Sequence, residues 1–347
     1  MWLEKGWAKV APLLTPLGYL YGRLMLLRRK AYQKGLFASY RPRAFVVSVG
    51  NLSLGGEGKT PLVLWLANFL REKGFRAAIL TRGYRGKLRG PVVASRGEGP
   101  LFAPEEIGDE AYLLAAKSRS PVMVARDRVQ GAFWAIKEFE AEVLILDDGF
   151  QHLRLERDLD LVLFSARKDP FRERVFPAGR LREPLKVLWE ADALVITKTN
   201  EAPEQGARLE ERLRGFKKPV FKAPFETGAP YLLGKGETQG EPPSPLLAFC
   251  GLGDPRSFLL AAEKTGEIAG FISLPDHVAY TPKLIERLLS ARKRAGATAF
   301  LTTEKDAVKL LPFVEKLQPC YVLPLEARPE KELEAFILER LRKDRRL

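Results

Sequence analysis

The chain has very few of the side chains that build disulfides, zinc sites or redox centres. Its 347 residues include two cysteines, two histidines and three methionines. Cys250 and Cys320 each stand alone in an apolar stretch, without the paired spacing that a zinc site needs. We therefore expect no structural zinc, and we expect both thiols to be buried in a protein that works in a reducing compartment.

The sequence also lacks an apolar run that suits a membrane-spanning helix. A spanning helix needs roughly 20 apolar residues, and the apolar segment at residues 10–27 is shorter and contains Arg23. No small-residue cleavage site follows it, which argues against a signal peptide. A basic cluster at residues 28–34 comes next, and an apolar helix with a basic flank is typical of an interfacial helix on an anionic bilayer. The alternative is a surface helix that packs on the protein itself.

Acidic residues are in short supply: 43 Asp and Glu stand against 57 Lys and Arg, which leaves a net charge of +14. Such an excess suggests an anionic partner, and nucleic acid, an anionic membrane surface or a phosphorylated substrate would each suit it. The positive charge is scattered and belongs to no known nucleic-acid-binding module, so we expect no nucleic acid partner. The hydrophobic content of 46% and the length indicate an ordered protein with room for two domains.

Residues 46–61 carry the first functional pattern. β-Branched residues lead into a glycine-rich turn, Gly-Lys-Thr and an amphipathic run, which predicts a strand, a phosphate-binding loop and a helix. Lys59 would reach the β- and γ-phosphates of a nucleotide, and Thr60 would bind Mg²⁺. The loop departs from the usual pattern at Ser53, where a glycine is expected. We predict that the nucleotide is held by Ser53, Leu54, Gly55, Gly56, Glu57, Gly58, Lys59 and Thr60.

Short apolar runs alternate with helical periodicity along most of the chain. This alternation predicts an α/β fold: a P-loop NTPase-like, doubly wound parallel sheet with a second, smaller α/β domain. We predict a membrane-interface helix at residues 1–35, a P-loop domain at 36–224, a linker or β-ribbon at 225–245 and a smaller α/β domain at 246–347. Ligands of such sheets bind at the carboxyl ends of the strands.

Two adjacent carboxylates, Asp147 and Asp148, follow a buried apolar run. A single Asp in this position is often a helix cap, but two in a row repel each other unless a cation or partner lies between them. In P-loop proteins an acid after a strand holds Mg²⁺ directly or through water. We therefore predict that Thr60, Asp147 and Asp148 form a metal site.

Several other polar residues lie near predicted strand ends or in loops. The two histidines, His152 and His277, would each be structural more often than catalytic when considered alone. Asp109 precedes a predicted helix and would serve equally as its N-cap. Arg128 and Arg182 would also fit as surface charges, although arginine in such positions suits bidentate phosphate binding.

Taken together, the motifs resemble a known family, the tetraacyldisaccharide 4′-kinases of lipid A synthesis. The matching blocks occur in the family's order: Gly-Asn at residues 50–51, the loop at 55–61, Arg-Gly-Tyr at 82–84, Gly-Asp-Glu at 108–110, Asp-Asp-Gly-Phe-Gln-His at 147–152, Leu-Arg-Glu-Pro at 181–184, Asp-His at 276–277 and Thr-Thr-Glu-Lys-Asp with its continuation at 302–310. The Asp-Asp-Gly-Phe-Gln-His and Thr-Thr-Glu-Lys-Asp blocks are the most specific. Ser53 is also the residue that this family carries.

The resemblance implies an ATP-dependent kinase at the cytoplasmic face of the bacterial inner membrane, with ATP and Mg²⁺ as cofactors. Its anionic glycolipid substrate would be a tetraacylated glucosamine disaccharide 1-phosphate, phosphorylated on the 4′-hydroxyl. By the same resemblance Asp109 would be the base toward this hydroxyl, His277 would orient it or tune its pKa, and Lys59 would hold phosphates. The substrate side is expected to include Arg128, Arg182 and His152. We expect a monomer whose two domains close around ATP.

Three other functions remain open from the sequence. A related P-loop kinase would act on a different glycolipid, since specificity depends on pocket shape. A P-loop GTPase or metal-chaperone NTPase would need a base-reading motif such as Asn-Lys-x-Asp, and the nearest segment, Thr-Lys-Thr-Asn at residues 197–200, lacks the Asp. A nucleic-acid-binding protein without catalytic activity would depend on the positive charge alone.

Overall fold

A computed structural model describes residues 11–235, 240–276, 278–344 and 346. Within these ranges the chain forms a larger sheet of eight strands, a smaller sheet of five strands and a two-stranded ribbon. Helices alternate with strands through most of the chain. The predicted fold class, a doubly wound parallel sheet with a smaller α/β unit, is confirmed.

The larger sheet contains β1 (Phe45–Asn51), β2 (Ala77–Thr81), β3 (Val92–Ser95), β4 (Val122–Val124), β5 (Val143–Asp147), β6 (Leu159–Ser165), β7 (Ala193–Thr197) and β8 (Val220–Ala223). Their spatial order is β3-β4-β2-β5-β1-β6-β7-β8, and they run parallel except for the edge strand β3. Strands β1, β2, β5, β6 and β7 are buried along their whole length. Because both faces are covered, these strands read as continuous apolar runs.

The helices are α1 (Thr15–Gln33), α2 (Lys59–Glu72), α3 (Pro104–Ile107), α4 (Asp109–Lys117), α5 (Arg128–Phe139), α6 (Pro203–Arg214), α7 (Pro255–Ala262), α8 (Pro282–Arg294), α9 (Glu304–Leu310), α10 (Val314–Leu317) and α11 (Lys331–Arg342). Successive residues of β1 point to opposite faces of the sheet. Val47 packs in a core with α2, α4 and α11, whereas Val46 packs in a core with α5. The larger sheet is therefore covered by helices on both faces.

The smaller sheet contains β10 (Tyr231–Leu232), β11 (Leu246–Cys250), β12 (Ile268–Ser273), β13 (Ala299–Thr303) and β14 (Cys320–Leu323). Their order is β10-β14-β13-β11-β12, with β10 antiparallel to β14. Cys250 and Cys320 are free and buried in this sheet, as predicted. Burial raises the pKa of Cys250 to about 12, so this thiol is inert at neutral pH.

The chain connects the two sheets through a ribbon and then returns. β9 (Phe225–Thr227) pairs antiparallel with β15 (Leu325–Ala327), so this ribbon joins two distant parts of the chain, and the linker or ribbon at residues 225–245 stays a prediction. The C-terminal part differs from the expectation for residues 246–347, because α11 packs on the larger sheet. Its buried residues Leu333, Ile337 and Leu341 follow a helical stripe and share a core with β1 and α2. The remaining domain division stays a prediction.

The N-terminal helix α1 has two different faces. Gly18, Gly22 and Arg29 are buried against the body of the protein. Leu17 and Leu20, in contrast, are 54% and 56% exposed. Across the part of the chain that the structure describes, no helix is both long and apolar enough to cross a membrane.

Candidate functional site

The phosphate-binding loop joins β1 to α2 at the carboxyl end of the larger sheet, where the sequence predicted it. Gly58 has φ 86° directly before α2, a left-handed conformation that favours glycine. A Cβ at Gly58 would also lie 2.4 Å from the ring of Phe225, so only glycine fits. No side chain caps α2, which leaves its first N–H groups for a ligand. A helix N-terminus of this kind suits a phosphate.

The Lys59 side chain links the loop to the acid pair. Its Nζ donates to Asn51 Oδ1 at 2.9 Å and lies 3.4 Å from Asp148 Oδ1. Asn51 ends β1, and Asp148 directly follows β5, the neighbouring strand. The parallel pairing of these strands therefore brings together Lys59 and Asp148, which are 89 positions apart in the sequence.

The first residues of the loop are engaged by the protein itself. Leu54 N donates to Arg180 O and Arg182 N donates to Leu52 O, both at 2.7 Å. The Ser53 hydroxyl donates to the carboxylate of Glu57, which is buried. Within the predicted nucleotide-binding set, the Leu54 amide and the Ser53 hydroxyl thus have protein acceptors, while Gly55 and Gly56 are exposed.

Asp147 and Asp148 lie in opposite electrostatic surroundings. Asp147 accepts a hydrogen bond from Thr81 Oγ1 at 2.9 Å, and burial, with the nearby Glu110, raises its pKa to about 6. Asp148 accepts a hydrogen bond from Arg182 at 2.7 Å. Burial by itself raises the pKa of Asp148, but Lys59 and Arg182 hold it below its ordinary value. Asp147 therefore ionises much closer to neutral pH than an ordinary aspartate, whereas Asp148 ionises more readily than one.

The acid pair suits Mg²⁺ bound together with phosphates. The described residues contain no group of three or more His, Cys, Asp or Glu that would hold a metal alone. Mg²⁺ is usually held by one or two carboxylates plus substrate phosphates. Asp148 Oδ1 is buried, and its ion pair with Lys59 Nζ at 3.4 Å shows that this oxygen already faces a positive charge. The donor set of Thr60, Asp147 and Asp148 therefore fits the predicted metal.

Arg128 and His152 lie deeper than expected for substrate ligands. Arg128 is 3% exposed and donates to the backbone oxygens of Ala125 at 3.1 Å and Asp147 at 3.5 Å. Burial lowers its pKa. Burial and the charge of Arg128 lower the pKa of His152 to about 4, so this imidazole is neutral at physiological pH. Their predicted contact with substrate stays a prediction, and in this structure Arg128 supports the backbone beneath Asp147.

Asp109 begins α4, and a lysine on α9, the helix that follows β13 of the smaller sheet, connects its neighbourhood to the loop after β12. Lys305 Nζ lies 3.1 Å from Asp276 and 3.9 Å from Glu110. Glu110 follows Asp109 in the chain, and it also acts on the pKa of Asp147. The predicted base is therefore next to a residue within electrostatic reach of the acid pair. His277 lies outside the described residues.

Sequence reasoning named motifs but missed the partners that organise them. Asn51 and Lys305 fall inside the blocks quoted for the resemblance and Thr81 directly precedes one of them, so a signal existed for each. Lys168 carried no such signal, although its Nζ lies 2.8 Å from Glu57. Arg29 was assigned only to a basic flank, although its guanidinium is buried against Glu183.

Comparison with known proteins gives consistent results. A family model described as Tetraacyldisaccharide-1-P 4'-kinase matches residues 10–342. The tetraacyldisaccharide 4'-kinase of Desulfotalea psychrophila is 39% identical over 320 residues, which cover 90% of this chain and 90% of that protein. The protein of the same name from Chlorobium phaeovibrioides is 36% identical over 334 residues, covering 92% and 94%.

The three-dimensional likeness also extends over the whole chain. A crystal structure of LpxK from Aquifex aeolicus in complex with ATP has a TM-score of 0.78 to this structure at 33% sequence identity. The match covers 96% of this chain and 99% of that one. The same arrangement of both sheets is thus present in a protein crystallised with ATP.

Proposed function

The chain belongs to the tetraacyldisaccharide-1-P 4′-kinase family, and from this membership we propose how its residues carry out the reaction. It is a kinase that transfers the γ-phosphate of ATP to the 4′-hydroxyl of a tetraacylated glucosamine disaccharide 1-phosphate in lipid A biosynthesis. The observation that supports a single site is the 3.4 Å between Lys59 Nζ and Asp148 Oδ1. This contact joins the phosphate-binding loop to the acid pair.

The donor half of the site consists of the loop and the acid pair. Gly55, Gly56 and Gly58 leave backbone N–H groups for the phosphates of ATP, and the N-terminus of α2 adds its positive dipole end. Lys59 would move from Asn51 and Asp148 toward the β- and γ-phosphates. When bound at Thr60 and the acid pair, Mg²⁺ supplies charge neutralisation on the phosphates. Phosphoryl transfer requires mainly positioning and charge stabilisation, which these groups supply.

The acceptor half depends on Asp109. Its carboxylate would accept the proton of the 4′-hydroxyl as that oxygen attacks the γ-phosphorus and ADP leaves. His277 would hydrogen-bond Asp109 and orient it. In support, Lys305 contacts Asp276, the neighbour of His277, and approaches Glu110, the neighbour of Asp109. Because Asp109 lies on a helix that packs on the larger sheet and Asp276 follows a strand of the smaller sheet, domain closure on ATP would complete the site.

The anionic substrate would meet the arginines at the edge of the acid pair. Arg182 is 26% exposed on its side chain and already binds Asp148, so it can turn toward a phosphate. Arg128 and His152 would help only after the surrounding side chains rearrange, because Arg128 is buried and His152 is half-buried.

The N-terminal helix would present the protein to the cytoplasmic face of the inner membrane. An exposed apolar surface on and beside α1 supports this proposal, and it consists of Leu13, Leu17, Tyr19, Leu20, Leu24, Leu27, Leu36 and Phe37. The basic residues Arg23, Lys30 and Lys34 lie on the same segment and are exposed. Apolar insertion combined with attraction to anionic headgroups is the usual mode of an interfacial helix.

Substitution of the proposed base tests this function. Asp109→Asn should lower single-turnover phosphate transfer by about 10²–10⁴-fold, because the hydroxyl loses its proton acceptor. ATP binding, measured by calorimetry, should stay within about twofold of the wild type. The matched control is Glu105→Gln. Glu105 is an exposed acid on α3, close to Asp109 in the chain, and its variant should transfer phosphate at the normal rate. Near-normal transfer by Asp109→Asn would remove its assigned role.

A further inference from the structure

The phosphate-binding loop of this chain contains an acidic residue, Glu57, two positions before Lys59. Its side chain is almost completely buried, with the residue 3% exposed. Consecutive Cα atoms are about 3.8 Å apart, so the Cα atoms of Glu57 and Lys59 lie within about 8 Å of each other. A carboxylate at this distance weakens the binding of a triphosphate unless its charge is balanced.

Both oxygens of Glu57 are engaged behind the loop. Oε1 accepts from Lys168 Nζ at 2.8 Å and from the Ser53 hydroxyl, and Oε2 accepts from Ser165 N at 2.7 Å. The backbone oxygen of Glu57 accepts from Thr197 Oγ1 at 2.8 Å. The end of β6 therefore holds the Glu57 carboxylate and the end of β7 holds the Glu57 backbone, so the loop is fixed at both points.

Lys168 connects this buried carboxylate with the exposed arm of the loop. Its Nζ lies 3.4 Å from Gly56 O and 3.5 Å from the place that a Cβ on Gly55 would occupy. Its side chain is 30% exposed. The charged residues that line the small cavity beside the loop are Glu57, Lys168, Glu173 and Arg180, two of each sign. Loss of Lys168 would leave an excess negative charge next to the phosphate site.

We propose that Lys168 is a positioning residue for ATP: it neutralises Glu57 and holds the loop in the form that accepts a triphosphate. This inference rests on the proposed binding of ATP at the loop. Lys168 acts through Glu57 and the Gly56 carbonyl rather than on the reacting atoms. Its effect therefore belongs to the affinity for ATP, whereas the affinity for lipid and the transfer step are independent of it.

The test starts from Lys168→Met in the full-length chain. The dissociation constant of MgATP, measured by calorimetry without lipid, should rise about tenfold, because an uncompensated carboxylate then lies close behind the phosphate site. KM for ATP should rise in parallel, while kcat and KM for the lipid stay within about twofold. Lys168→Arg keeps the charge and should restore most of the affinity. Arg172→Met removes the same charge from an 87% exposed side chain nearby and should change nothing.

A double-mutant cycle separates charge balance from a merely structural contact. In the Glu57→Gln background, Lys168→Met should change the ATP dissociation constant by less than about twofold, because no buried carboxylate remains to be neutralised. The same tenfold loss in that background would overturn the proposal. So would a fall in kcat at unchanged ATP affinity in the single variant.

Thermal unfolding of each variant shows whether it is folded at the assay temperature. If Lys168→Met is unfolded at that temperature, the double variant decides, because it contains neither charge. An ATP affinity near that of Glu57→Gln alone supports the proposal, and a further tenfold loss of affinity overturns it. Failure of the proposed function looks different. In that case the wild-type protein itself would not bind MgATP.

Discussion

At the scale of single residues, the site shifts the pKa values of two neighbouring carboxylates in opposite directions. Asp147 is buried and its pKa is raised to about 6, whereas Lys59 and Arg182 keep the pKa of Asp148 low. Asp148 also has φ 56°, a conformation that is costly for a residue with a Cβ. Strain of this kind persists where the surrounding structure imposes it, and here Lys59 and Arg182 both fix the side chain. The side chain of Asp148 is therefore held in place before any ligand binds, which suits the proposed binding of a divalent cation.

His152 gives a pH-dependent prediction for stability. Its pKa is lowered to about 4 by burial and by Arg128, and its buried Nε2 has no hydrogen-bond partner among the described residues. The unfolded chain, with an ordinary histidine pKa near 6.5, binds more protons between about pH 6.5 and 4. The free energy of unfolding should therefore fall as the pH drops through this window, by a fraction of about 1.4 kcal/mol per pH unit because the side chain is partly exposed.

Urea unfolding of the wild type and His152→Gln at pH 7, 6, 5 and 4.5 measures this contribution. The substitution should flatten the decline in stability in that window and leave the slope above pH 7 unchanged. An identical pH dependence in both proteins would contradict the lowered pKa.

The sequence predicted many of these residues but not their surroundings. Motif spacing identified Lys59 and the Asp147–Asp148 pair because backbone geometry brings loops after parallel strands to one edge. Long-range partners such as Lys168 belong to no local pattern, since only the register of β6 against β1 brings them to the loop. The sequence also did not predict burial: Arg128 was expected to contact the substrate, but its side chain is almost fully buried.

At the scale of elements, α1 is joined to the catalytic loops by one buried arginine. Arg29 binds Glu183 through two hydrogen bonds of 2.7 and 2.8 Å, and Glu190 through a third of 2.7 Å. It also donates to Phe150 O at 3.0 Å and lies over the Phe150 ring. Glu183 follows Arg182, the partner of Asp148. The helix is therefore part of the structure that supports the site as well as an apolar surface.

Arg29→Met should cost about 3–5 kcal/mol of unfolding free energy, because it leaves two glutamates without their buried partner. Chemical denaturation followed by tryptophan fluorescence measures this loss. Arg23→Met on the same helix is the control, since Arg23 is exposed, and it should change stability by less than about 0.5 kcal/mol. Equal effects of the two substitutions would show that the buried cluster contributes little.

The exposed face of α1 makes a separate prediction. Combined substitution of Leu17, Leu20 and Leu24 by serine should weaken binding to anionic phospholipid vesicles by at least about tenfold, because apolar area no longer inserts. Vesicle sedimentation measures the bound fraction. Leu101→Ser, at a 57% exposed leucine away from α1, is the control and should bind normally. Unchanged binding of the triple variant would limit α1 to a packing role.

At the scale of the whole molecule, ion pairs connect helices and loops of the larger sheet with those of the smaller sheet. Lys117 of α4 binds Glu304 at the start of α9. Arg167 lies 3.1 Å from Glu201 and 3.3 Å from Asp254, which precedes α7. Such pairs are exchangeable contacts rather than a continuous apolar core, which suits domains that close and reopen during a catalytic cycle.

The alternation of strands and helices was sufficient to predict two α/β units, but it could not show that α11 returns to the larger sheet. Its amphipathic stripe fits any apolar surface of the right width, and only the tertiary structure selects one. The monomeric state, the absence of a nucleic acid partner and the cytoplasmic membrane face stay predictions, because they depend on surfaces and partners beyond a single chain.

The measurement that tests the account most directly is the fate of the γ-phosphate. Purified protein is incubated with γ-labelled ATP and Mg²⁺ and with a tetraacylated disaccharide 1-phosphate, alongside other glycolipids and with GTP in place of ATP. We predict label on the 4′-oxygen of the disaccharide lipid, identified by mass spectrometry and NMR, and none after Lys59→Ala. Release of inorganic phosphate without a labelled lipid, or turnover with GTP alone, would contradict the central claim.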